Sequence, residues 1–199
     1  MGLKKRLFIF GVFLGGLGAV SGVWGGNIVI DPESRLWLAG DSTLHVYHST
    51  ATKISAAGQA EGPDVLKAGA VRSFQLVVPV EGLKSGKSGL DRNMYKALKA
   101  KDHPEILFRL SRLTLEPSGN GASSVKADGL LTVAGQERAV TLRPEIKAED
   151  GRLRVEGQQE LRMTDFGVKP PSLMLGAVRT KNEVTVHYHI FIKIQNLAQ

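Results

Sequence analysis

Between residues 183 and 194 the chain sets Val184, Val186, Tyr188, Ile190, Ile192 and Ile194 at every second position, with Thr185, His187, His189 and Lys193 among the residues between them. Successive side chains of a β-strand point to opposite faces, so in a strand this stretch has one dry face and one wet face. The same period of two recurs at residues 35–39, 43–49, 73–80, 105–115, 124–133, 138–146 and 152–163. Eight strands therefore dominate the chain. Turn residues separate them: Pro117-Ser118-Gly119-Asn120-Gly121, Ala134-Gly135-Gln136, Glu149-Asp150-Gly151 and the stretch around Pro170-Pro171. Connections this short favour antiparallel neighbours and hence a meander.

The dry face is continuous in sequence terms. Phe74, Leu76, Val78 and Val80 share one parity, as do Ile106, Phe108 and Leu110, Leu131 and Val133, Leu153 and Val155, and Leu161 and Met163. A helical pattern interrupts them at residues 90–101, where Leu90, Met94, Ala97 and Leu98 share a face and Pro104 stops the helix before the next strand. A closed antiparallel sheet of about eight strands has an interior that either fills with side chains or holds one slender ligand. Alternation alone does not choose between a packed core and a binding lumen.

Composition narrows the functions. The 199-residue chain is 42% hydrophobic and 23% charged, which suits one globular domain over residues 22–199. Lys4, Lys5 and Arg6 precede an uncharged run over residues 7–24 with small residues at Ala19-Val20-Ser21, the pattern of a secretory signal peptide over residues 1–21 cleaved near Ser21. An uncleaved N-terminal membrane anchor is the alternative, because such a run is close to the length that spans a bilayer. With no cysteine, a disulfide framework, a thiolate metal site, a catalytic thiol and a lipidated cysteine are excluded. The net charge of +7 drops to +4 without the three N-terminal bases, and the remaining bases are mixed with acids, so nucleic acid is not an expected partner.

The order of the pieces carries a resemblance. Asp31-Pro32 with Ser34 precedes the first strand; residues 89–110 pass from helix to strand through His103-Pro104-Glu105-Ile106; a Leu131-Thr132-Val133-Ala134-Gly135 turn and Asp165-Phe166-Gly167-Val168 follow. From Asp31 to Ile194 this resembles the YceI-like family of exported lipid-binding barrels. Residues 40–49 depart from the commonest form and look like a sub-branch. The resemblance implies an extended, lipocalin-like antiparallel eight-stranded β-barrel with one short flanking helix, periplasmic and noncatalytic, enclosing a long-chain isoprenoid such as a quinone tail or polyprenyl lipid. The lining residues it implies here are Phe74, Leu76, Val78, Ile106, Phe108, Leu110, Leu131, Val133, Leu161, Met163, Tyr188, Ile190 and Ile192. No cofactor or metal is expected besides the lipid ligand. Transient membrane contact and a homodimer stay open. The alternative is a packed barrel acting as an interaction module for an envelope complex or stress response; in it Phe74, Phe108, Tyr188 and Met163 would meet across the centre.

Other motifs do not carry chemistry. Gly82-Leu83-Lys84-Ser85-Gly86-Lys87-Ser88 has three residues between its first glycine and Gly-Lys-Ser where a phosphate loop needs four. Asp165-Phe166-Gly167 lacks the companion motifs of a kinase. His45, His48, His187 and His189 have the spacing of strand residues rather than of a ligand set, and His103 has no partnered acid or nucleophile in sequence.

Overall fold

The computed structural model describes residues 25–61, 67, 69–116, 123–173 and 178–196. The expected signal peptide and the Pro117 to Gly121 turn lie outside them. Among the described residues, eight staves form the wall, and four of these are broken in two. The first comprises β1 (Gly25–Ile30) and β2 (Arg35–Ser42), the second β3 (Tyr47–Ala51) and β4 (Ser55–Glu61), and the third β5 (Val71–Pro79) and β6 (Leu83–Lys84). Helix α1 (Ser88–Ala97) leads into β7 (Glu105–Glu116) and β8 (Ser123–Val133). A stave broken into β9 (Gln136–Leu142) and β10 (Glu145–Glu149) follows, then β11 (Arg152–Arg162), the two-residue β12 (Ser172–Leu173) and β13 (Val178–Asn196). Each stave pairs antiparallel with the next. The ring closes on β13, which pairs β11 along one edge and both β2 and β1 along the other. The result is a closed eight-stranded antiparallel barrel with one helix.

Prolines account for three of the breaks, because a residue without an N–H cannot continue a ladder on both sides. Pro32 splits the first stave, Pro79 precedes the 3-10 turn Val80–Gly82 in the third, and Pro144 splits the stave between β9 and β10. At the first break the side chains replace the missing backbone bonds. Asp31 Oδ1 accepts the Glu33 N–H at 3.0 Å, and Ser34 Oγ accepts the Phe191 N–H at 2.9 Å. Lys193 Nζ lies 2.6 Å from Asp31 Oδ2, and Arg152, 3.4 Å from the same oxygen, stacks its guanidinium 3.8 Å from the Phe191 ring centre. The Lys193 contact and the Glu33 N–H hold the Asp31 carboxyl below its ordinary value.

The two expected tight turns have the left-handed backbone that matches strand twist. Ala134 and Gly135 have φ of 49° and 79°, and Asp150 and Gly151 have φ of 49° and 74°. A Cβ on Gly135 would lie 2.5 Å from the His103 ring, so that turn also needs the space.

Some boundaries differ from the sequence reading. The helix ends at Ala97 rather than near residue 101, because Lys99 turns left-handed with φ of 54°. Residues 43–46 form a hairpin tip between β2 and β3 rather than a strand. Strands β1 and β4 were not expected; the Ser-Ala-Ala-Gly-Gln-Ala-Glu of β4 has almost no apolar contrast to read.

Apolar packing is concentrated at two levels. One cluster joins Val133, Ala134, Phe166 and Val168 with Ala97, Leu98, Ile106, Leu131, Leu161 and Met163; the other joins Ile28 and Ala60 with Val71, Phe74, Leu153, Ile192 and Ile194. Leu161 and Leu153 are eight residues apart along β11, so the clusters sit about 26 Å apart along the wall.

Candidate functional site

Cross-strand pairing fixes which side chains face inward, because directly opposed residues share a face. From Leu153 and Ile192 in the second cluster, the β11–β13 ladder carries the inner face through Val155 opposite Ile190, Gly157 opposite Tyr188, Gln159 opposite Val186 and Leu161 opposite Val184. Through β2 it continues to Leu36, Leu38 and Gly40, and through β3 to Ser49 and Tyr47.

Twelve of the thirteen expected lining residues lie on inward positions of these strands. Leu76 opposes Phe108, Val78 opposes Ile106, and Phe108 opposes Leu131. Leu110 opposes the inward Gly129, and Phe74 and Ile192 pack in the second cluster. Met163 differs: it begins the 3-10 turn Met163–Phe166 and packs into the first cluster at the barrel end. Val78, Phe108, Val133 and Ile190 are buried, whereas the other eight inward residues, and Met163 at the barrel end, are only half-buried.

The bulky inward residues do not meet at the centre. Phe74 and Met163 belong to opposite clusters. Phe108 lies over Gly129, where a Cβ would come 2.5 Å from its ring, and Tyr188 lies over Gly157, where a Cβ would come 2.5 Å from its hydroxyl. Tyr47 lies over Gly40 in the same way. Glycine opposite an aromatic residue lets the ring lie flat against the wall.

Sequence reasoning missed Gly40, Tyr47, Ser49, Gly157 and Gln159 as lining residues. Four of them are polar or lack a side chain, so they read as outward or turn positions; Gly40, Tyr47 and Ser49 all lie in the segment that departs from the common family pattern. Burial pushes the Tyr188 hydroxyl up to about 12, and burial, followed by the charge of Asp41, does the same for Tyr47. The Tyr188 hydroxyl and the Ser49 hydroxyl are buried with no hydrogen-bond partner among the described residues.

The outer face has a different chemistry. Trp37 and His187 stack with ring centres 5.1 Å apart, His189 lies 4.8 Å from Phe191, and His189 Nε2 is 3.8 Å from Glu156. His45 and His48 are exposed. Among the described residues, no three His, Asp or Glu side chains gather as metal ligands would.

One gap opens in the wall. The β10–β11 ladder runs from Glu149 opposite Arg152 to Glu145 opposite Glu156 and stops at Pro144. Had it continued, Leu142 would oppose Gln159 and Val140 would oppose Leu161. Instead, among the described residues, β9 pairs only with β8, and a cleft of about 710 Å³ lies between residues 138–141 and residues 159–162. A second cleft, of about 760 Å³, runs over β1, β4, β5 and β7 around Gly58 and Phe74.

The family model of the YceI-like domain matches residues 31–192. No curated protein matches the chain. Among solved structures, BcnA of Burkholderia cenocepacia superposes with a TM-score of 0.66 at 20% identity, covering 81% of this chain and 98% of its own. A polyisoprenoid-binding domain from Saccharophagus degradans, implicated in plant cell wall breakdown, gives 0.62 at 12% identity over 84% of this chain and 98% of its own. A Campylobacter jejuni YceI protein gives 0.52 at 15% identity over 100% of this chain and 92% of its own. At these identities the likeness is one of fold.

Proposed function

The chain belongs to the YceI-like family, and from that premise we propose that it is an exported, noncatalytic carrier that shelters a long-chain isoprenoid lipid in its barrel. The family and the polyisoprenoid-binding domain among its structural neighbours support a lipid-binding barrel. The observation that carries the reading to this chain is the half-burial of eight inward-facing lining residues. In a core packed from wall to wall such residues lose nearly all their exposure; here they keep part of it.

A tail threaded along this wall is held by burial of apolar area, at about 25 cal/mol per Å², rather than by directed bonds. Affinity then rises with tail length and discriminates weakly among tails, so length and width of the lumen set the choice. Loading takes place at a bilayer, where such tails reside. The hairpin tip beside Tyr47 suits that contact: Leu44 and Val46 are 67% and 56% exposed, and Ser42 Oγ organises the tip by donating to the His45 carbonyl at 2.9 Å. Export rests on the N-terminal pattern of residues 1–21. No helix of the described residues is long and apolar enough to cross a membrane.

Organic extraction of the purified protein followed by mass spectrometry tests the carrier role. A reproducible isoprenoid in the extract supports it. A protein without lipid that also takes none up from isoprenoid-loaded vesicles overturns it.

A further inference from the structure

Charge is matched at the end of the barrel where the second apolar cluster lies. Arg72 pairs with Glu61, Arg154 with Glu149, Lys193 with Asp31, and Arg152 with both Asp31 and Glu33. The stretch that leads from β6 through α1 toward β7 differs. Residues 84–101 carry Lys84, Lys87, Arg92, Lys96, Lys99 and Lys101, all exposed, and none of the six makes an ion pair with an acid among the described residues. The acid inside the stretch, Asp91, is buried and already occupied: the Ser85 N–H and hydroxyl donate to its Oδ1 at 2.8 and 2.5 Å. Glu81, Asp102 and Glu105 flank the stretch and are exposed, but they pair with none of the six.

The fold gathers these bases at one rim. Ala97 and Leu98 pack against the first cluster, while Arg92 and Lys96, one turn apart, lie on the side of α1 away from Met94 and Leu98. The hairpin tip between β2 and β3 stands at the same rim. Ser42 opposes Thr180, and the Thr43 N–H donates to the Arg179 carbonyl at 3.0 Å. Two residues further on, Asn182 Oδ1 accepts at 3.1 Å the N–H of Thr164, in the turn that gives the first cluster its Phe166. The tip and the helix are also neighbours around the barrel, since β3 pairs with β6 and β6 leads into α1. One rim thus presents two exposed aliphatic side chains, Leu44 and Val46, beside a basic helix face.

That combination complements one kind of surface. Anionic headgroups attract lysines and arginines brought close to them, and the acyl boundary beneath receives aliphatic side chains; each signal is weak alone and the two add. An acidic protein or a nucleic acid would use the bases and leave Leu44 and Val46 in water.

We propose that the rim formed by α1 and the β2–β3 tip docks on a bilayer rich in anionic lipid, with Arg92, Lys96 and the neighbouring lysines against the headgroups and with Leu44 and Val46 entering between them. The inference rests on the carrier reading, which requires a bilayer to load from, and adds the charge of that bilayer and the face that meets it.

Flotation of the purified protein with isoprenoid-free vesicles tests the docking, using phosphatidylcholine alone or phosphatidylcholine mixed with phosphatidylglycerol. The wild type should partition about a hundredfold more strongly into the anionic vesicles, and added salt should shrink that advantage. Arg92→Gln combined with Lys96→Gln should weaken binding to the anionic vesicles about thirtyfold, at about fivefold for each base, and leave binding to the neutral ones unchanged. Leu44→Ser combined with Val46→Ser should weaken binding to both vesicles about tenfold and keep their ratio. All four side chains are exposed, so both variants keep the wild-type fold. Equal binding to neutral and anionic vesicles, or either variant binding as the wild type does, overturns the docking face. So does a protein that ignores both vesicles while the same bases hold it on immobilised heparin. In each of these cases isoprenoid in the organic extract leaves the carrier role standing. Docking as expected, with no isoprenoid in the extract and none taken up from loaded vesicles, overturns the carrier role alone.

Discussion

At the scale of single residues, the break after β1 shows how side chains complete a ladder that proline interrupts. Ser34 Oγ accepts the buried Phe191 N–H, so Ser34→Ala should leave that donor unsatisfied and cost about 1–3 kcal/mol, read as a lower urea midpoint at unchanged slope. Asp31 supplies a pH dependence at the same place. Its folded-state pKa is depressed by the Lys193 contact, so its stabilisation is present in full above the ordinary value of 3.8 and is lost as pH falls through the lower folded value. Asp31→Asn should flatten the acid side of the stability profile below pH 4 relative to wild type, while a profile of unchanged slope there would contradict the assignment. The motif was legible as Asp-Pro with Ser; its job of bridging β1 and β2 to β13 was not, because the partner lies 157 residues away.

At the scale of elements, β13, β11, β8 and β7 were legible because their inward residues are large and apolar and their outward ones are polar. The broken staves were harder. Strand β4 lines the barrel with Ala56, Gly58 and Ala60, which carry little hydrophobic signal, and no local pattern says that β5 and β6 are one stave across a turn. Nor does alternation distinguish a paired edge from a free one, which is why the gap between β9 and β11 had no sequence signal beyond Pro144. Half of the β9 amides point toward that gap. In hydrogen exchange, alternate amides of residues 138–142 should exchange well before those of the β11–β13 ladder. Uniform protection along β9 would mean that the two strands pair in solution.

At the scale of the whole molecule, apolar packing is gathered near two ends, and Gly157, Gln159, Tyr188 and Ser49 stand among the inward residues between them. On the proposed carrier function, a chain held in the barrel adds contacts to the half-buried inward residues. Stripping lipid from the protein should therefore lower its Tm, and adding back a binding isoprenoid at about one hundred times its Kd should restore about 2.7 kcal/mol. A Tm indifferent to lipid would indicate an interior already complete.

The strand that closes the ring is also the last of the described strands in chain order. Because β13 joins β11 to both halves of the first stave, a nascent polypeptide emerging from the ribosome exposes open sheet margins until residues 178–196 have appeared. Closure thus waits on those residues, and a shortened product lacking them should be a substrate for chaperones and proteases rather than a smaller folded protein.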